Sequence, residues 1–163
     1  MSALRLACCL MLCSLSLQAA EFRNEKLSSL IAGQHRPDGV VFEILSWTDN
    51  SWDWAAPMLR QYVDQLRAAY PDLDIALVSQ GVELFDLALG SSQQGSPALS
   101  ELMALNAEGM AIHISGDYAK WKRMGASDFP GFVDVVDSSA AQLEDYIKLG
   151  FVPIMLEAPH AVD

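Results

Sequence analysis

The chain has 163 residues, 52% apolar and 19% charged, which suits one domain with a real core and excludes a disordered or fibrous polymer. Ten Lys and Arg stand against 21 Asp and Glu, a net charge of −11, so nucleic-acid phosphates and anionic lipid headgroups are disfavoured as partners. All three cysteines, Cys8, Cys9 and Cys13, fall within the first 20 residues.

That first segment, "MSALRLACCLMLCSLSLQAAEF", carries one positive charge at Arg5, an apolar run from Leu6 to Leu17, and then Ala19 and Ala20 before Glu21. This is the layout of a cleaved secretory signal, and it is too short for a spanning helix. A lipoprotein cut is disfavoured, because Cys8 leaves no hydrophobic run before it and Cys13 follows Leu12 where a small residue is wanted. Residues 1–20 are therefore read as a signal peptide and the protein as periplasmic or secreted, with no membrane attachment after cleavage. The mature chain then has nine bases against 21 acids, or −12, and no cysteine. It can form no disulfide, thiolate nucleophile or thiolate metal site.

Residues 21–39 form a polar N-terminal extension ending in "HRPDG", where Pro37 and Gly39 mark a turn. "VVFEILS" (40–46) is β-branched and apolar, a buried strand. After the loop "WTDNSWDW", Asp53 is placed to cap a helix carrying Leu59, Tyr62, Val63 and Leu66 at helical spacing, which Pro71 ends. "IALVSQG" (75–81) is a second strand, followed by the ambiguous stretch "VELFDLAL" and the flexible loop "GSSQQGSP". Leu99, Leu102 and Met103 mark a short amphipathic helix, "MAIHIS" a third strand, and "DYAKWKRMG" a short helix. "FVDVVD" (132–137) is a weaker fourth strand. Ser139 and Gln142 fit a capping box opening a helix that Gly150 closes. "FVPIML" (151–156) is the last strand, and its Pro153 suggests a sheet edge; residues 157–163 form a tail. Strand and helix alternate about five times, so the predicted fold is a single α/β domain with a mostly parallel, about five-stranded sheet and helices on both faces. Its ligand crevice should lie beyond the carboxyl ends of the strands.

Two pieces are the most specific: a helix ending "NAEGMAIHIS" into the third strand, and the close "VVDSSAAQLEDYIKLGF". With "VVFEILS" and "IALVSQGVELFDL" ahead of them, residues 40–156 resemble the DsrE/DsrF-like proteins. The resemblance implies a compact α/β sandwich assembled as a homo-trimer or hexamer, with a small molecule or sulfur carrier as partner. In several such proteins a cysteine just after the third strand, before a glycine, carries persulfide. Ser115, before Gly116, stands at that position here.

A serine hydroxyl cannot hold a persulfide and is a poor nucleophile without a base. His113, two residues back on the same strand face, makes a Ser–His pair conceivable, yet no G-x-S-x-G elbow surrounds Ser115 and no acid is evident to orient the imidazole. His113 is better read as a hydrogen-bonded strand histidine and Ser115 as the polar residue closing the strand. "DNSWD" (49–53) imitates the start of a calcium loop, but Trp54 stands where Gly is required and Arg60 where the bidentate Glu belongs. His35, His113 and His160 have no metal-ligand spacing, and no phosphate-binding glycine motif occurs, so neither metal nor cofactor is expected. Trp47, Trp52 and Trp54 either line a pocket or pack the helix entry. Lys120, Lys122 and Arg123 form the domain's one basic cluster.

The expected ligand crevice places Trp47, Asp49 and Asn50 of the first loop opposite His113, Ser115 and Asp117. A binding or assembly component related to sulfur metabolism is the leading expectation. A sulfur-compound enzyme working with a partner's thiol, and an oligomeric structural protein, are the alternatives.

Overall fold

The computed structural model describes residues 22–33 and 35–159. The segment read as a signal peptide, with the three cysteines, and residues 160–163 with His160 lie outside the described residues. The described chain runs α1 (Glu25–Ala32), β1 (Gly39–Ile44), α2 (Trp52–Ala69), β2 (Asp74–Ser79), a 3-10 turn (Val82–Leu87), α3 (Pro97–Ala107), β3 (Ala111–Ser115), α4 (Gly116–Trp121), a second 3-10 turn (Ala126–Asp128), β4 (Asp134–Val136), α5 (Ser139–Lys148) and β5 (Phe151–Met155).

All pairings in the five-stranded sheet are parallel, in the order β4-β3-β2-β1-β5. The alternating strand–helix pattern therefore produced the α/β architecture it predicts. From β1 to β4 the chain steps one strand at a time in one direction. It then returns across the whole sheet through α5 to set β5 beside β1. Right-handed crossovers put helices moving in opposite directions on opposite faces, which is why α5 stands alone on its side.

One face holds most of the core. Val40, Phe42 and Ile44 of β1, Ile75 and Leu77 of β2, and Ile112 and Ile114 of β3 meet Leu59, Val63 and Leu66 of α2 and Leu99, Leu102 and Leu105 of α3. Each such side chain, removed from water, contributes roughly 1.5–3 kcal/mol before conformational entropy is subtracted. The other face is thinner: Val41, Ala76 and Val78 lie under Leu143, Tyr146 and Phe151. On the main-core face Arg60 ties α2 to the end of α3, its two terminal nitrogens donating to the Glu108 carboxylate at 2.8 and 2.9 Å.

Three local expectations are corrected. The residue before α2 is Ser51 rather than Asp53, which already lies in the first helical turn. The cap of α5 is Ser138, whose hydroxyl accepts the Ala141 amide at 3.4 Å, so the Ser139–Gln142 box sits one residue too far along. The polar extension contains a helix, α1, capped by Asn24 accepting the Leu27 amide at 3.0 Å. Its Leu27 is buried against the core, while Pro153 lies on the edge strand β5 as the sequence suggests.

Candidate functional site

The carboxyl ends of β1 and β2 are built around one carboxylate that sequence reasoning missed. Glu83 is 1% exposed, and its Oε1 accepts the Ser79 hydroxyl at 2.8 Å and the amides of Gln80 and Gly81 at 3.1 and 2.9 Å. Its Oε2 accepts the Ser46 amide at 2.9 Å. Four donors satisfy the hydrogen-bonding capacity of this buried side chain. Gly81 is required by close approach, because a Cβ would collide with the Ser46 carbonyl and with Glu83 itself. Trp52 closes the arrangement, donating its indole N–H to the Glu83 carbonyl at 2.8 Å. In sequence Glu83 sits within an apolar run, and nothing there distinguishes it from a solvated acid.

Beside it, Ser115 ends β3 and caps α4: its hydroxyl accepts the Tyr118 amide at 3.3 Å, and the residue is 4% exposed. His113 does not reach it. The imidazole lies between Asp134 Oδ2, 3.1 Å from Nδ1, and the Tyr146 hydroxyl, 2.7 Å from Nε2. Both ring nitrogens are thus engaged by β4 and α5, and no Ser–His dyad exists. The expectation that no acid stands near the imidazole is corrected, since Asp134 is on the adjoining strand in register with His113. Burial lowers the His113 pKa from its ordinary value, and Asp134 opposes that shift. Burial likewise raises the Tyr146 hydroxyl. His113 is a strut between sheet and helix, and burial favours its neutral form.

The first loop and the third-strand turn do adjoin, through aromatic rings. Trp47, 64% exposed, meets the Tyr118 ring edge-on at 5.8 Å, and Tyr118 lies against Trp121 at 4.1 Å. Asp49 and Asn50 are exposed; Asn50 accepts the Gln93 amide nitrogen at 2.7 Å and adopts a positive φ of 58°. Asp117 is exposed and pairs with Lys120 at 3.0 Å. Of the six expected site residues, Trp47 therefore faces the turn region, whereas His113 and Ser115 are structural and buried. Lys122, from the basic cluster, lies over the Phe85 ring at 3.9 Å. Asp86, between these elements, has its carboxyl pKa raised by burial and by Asp49 and Asp53, against the Asn50 amide and Lys122. One Asp86 oxygen and the Tyr118 hydroxyl are buried without a protein partner.

Two further polar residues lie on the α5 face. Glu43 of β1 is half-buried, its carboxyl pKa raised by burial, and it accepts the Gln80 side-chain amide. Gln80 in turn accepts the Ser139 hydroxyl at 3.4 Å. On the opposite flank, Leu45, Trp47, Trp54, Met155 and Glu157 line a cleft of about 740 Å³ between the ends of β1 and β5. The tryptophans thus divide: Trp52 packs the helix entry, while Trp47 and Trp54 line open space. No group of three or more His, Cys, Asp or Glu able to hold a metal ion occurs among the described residues. Among them, no helix is long and apolar enough to cross a membrane.

No protein-family model matches the chain, and no curated protein matches it significantly. Among solved structures it is similar to a protein of unknown function, MTH1491 from Methanobacterium thermoautotrophicum. The TM-score is 0.59 at 20% identity, over 72% of this chain and 97% of the other. A likeness at that identity establishes a shared fold and leaves function to be argued from the site.

Proposed function

We propose that this chain is a secreted or periplasmic DsrE-like domain without thiol chemistry, a small-molecule-binding or assembly component related to sulfur metabolism. One observation carries the proposal. At the position where the resemblance implies a reactive cysteine, Ser115 is a buried helix cap with no base bonded to it, while an open aromatic surface stands next to it. A site that has lost its nucleophile and kept exposed rings at the carboxyl end of a parallel sheet is suited to binding.

Assembly as a homo-trimer or hexamer belongs to the same proposal. Trp121 and Leu149 are 70% and 67% exposed, large apolar areas that a second subunit would cover. Native mass spectrometry of protein recovered from a secreting host tests both parts. A chain starting near Glu21, in a trimer or hexamer with a small non-protein mass retained, is the expected result. A bare monomer overturns the proposal, and a lipid-sized addition on a retained cysteine overturns its cellular placement. Turnover of thiosulfate or a persulfide donor with candidate partner proteins would replace it by a sulfur-transfer enzyme.

A further inference from the structure

We infer that the cleft between the carboxyl ends of β1 and β5 is a binding site for a small organic cation with an apolar body. The inference deepens the proposed function and rests on it, since it names the class of ligand the domain would take.

The cleft lies where the strand order reverses: from β1 the chain proceeds to β2 on one side, while β5 flanks it on the other. In open parallel sheets such reversals leave a crevice beyond the strand ends, because neighbouring connections diverge. The walls here are two indoles, Trp47 and Trp54, with Leu45 and Met155. Leu45, Trp47 and Met155 are 46%, 64% and 39% exposed, an apolar surface left open to solvent. Among the described residues, Glu157 is the one charged residue lining the cleft.

That composition selects a charge type. An indole face carries negative potential and attracts a cation, most strongly when water is excluded. A nearby carboxylate adds to the attraction. Among the described residues no Lys, Arg or His lines the cleft, so an anion would find no counter-charge from them. The adjoining hollow of about 350 Å³ shares Met155 and Glu157 and adds Glu43 and Lys26, one residue of each sign. Arg23 lines a third hollow together with Glu157. Among the described residues that line the cleft itself, the charge beside the indoles is a single negative one, which matches a monocation. The net charge of −11 raises the local concentration of any cation approaching this end of the molecule.

The test uses choline and its uncharged isostere 3,3-dimethylbutan-1-ol, with sodium chloride at equal ionic strength as the control. Calorimetry and the indole N–H resonances are read on the full-length protein. Choline is expected to bind saturably and to move the Trp47 and Trp54 signals, leaving buried Trp52 in place. Trp47→Ala should weaken binding about tenfold, the size of a partly desolvated cation–ring contact. Glu157→Gln should weaken it about threefold, as expected for an exposed ion pair. Equal binding of the alcohol would overturn the cation assignment while leaving ligand binding intact. If neither probe moves the indoles but a small non-protein mass is retained in native spectra, this site falls and the binding function stands. If neither binds and no mass is retained, both fall.

Discussion

Glu83 reaches from the turn after β2 to the backbone amide of Ser46, 2.9 Å away, just past the neighbouring strand β1. A single carboxylate thus fixes the exits of two adjacent strands, and with them the loop that presents Trp47. The carboxylate itself is buried, so the contact specifies geometry as well as contributing stability.

Glu83→Gln should therefore cost more than an ordinary polar exchange. The amide group can accept on one side only and brings two N–H donors among groups that already donate. Leaving buried donors unmatched costs about 1–3 kcal/mol each. Urea denaturation should show a loss in that range; a change within about 0.5 kcal/mol, typical of unconstrained surface sites, would show that the clamp is unimportant.

Ser115→Cys should fold normally, since thiol and hydroxyl are close in size and the site is buried. Its thiol should be shielded from a disulfide reagent in the folded protein, over the background of the unsubstituted chain, and should react once urea is added. Ser115→Ala removes the acceptor for the Tyr118 amide and should cost about 1 kcal/mol. Failure of the cysteine variant to fold would mean that this position does not correspond to the cysteine of the DsrE/DsrF-like proteins.

His113 gives the protein a pH dependence of definite sign. Its folded pKa is lowered from the ordinary value of about 6.5, chiefly by burial, so the unfolded chain binds the proton more readily. Stability from this residue is complete above that value, and it declines as pH falls from there toward the folded pKa. The melting temperature of the wild type should therefore drop between pH 7.5 and 5.5 by more than that of His113→Gln. Parallel curves would instead assign the acid sensitivity to the carboxylates, Asp134 among them.

Trp52 and Trp47 should separate cleanly. Trp52 is 2% exposed with its N–H bonded, and truncation to alanine should cost about 3–5 kcal/mol. Trp47→Ala, at an open position, should leave unfolding within about 0.5 kcal/mol of wild type. Thermal melts of both variants, beside their oligomeric state, are decisive. A stable Trp52 variant would contradict the packing described for the start of α2.

The fold was legible because its signals are local: each strand is a short apolar run, and each crossover carries a helical period or a cap. Pro153 even marked the edge. The site was less legible because its contacts are distant in sequence. His113 meets Asp134 and Tyr146 across 21 and 33 positions, and Glu83 meets Ser46 across 37. No spacing rule reaches that far. Helix α1 was missed for a different reason: its first turn is polar, and what shelters Leu27 is the rest of the domain.

The pairing of β5 with β1 has a consequence for synthesis. Gly39 is matched with Phe151, so β1 acquires this neighbour only when residues 151–155 have left the ribosome. Until then one edge of β1 is an open row of amides and carbonyls, able to accept any strand that meets it. Contacts this long-ranged form slowly, because a large loop must close before they add stability. A nascent chain built this way stays unpaired at that edge until residues 151–155 arrive. That delay makes β5 the latch that commits the domain to its folded state.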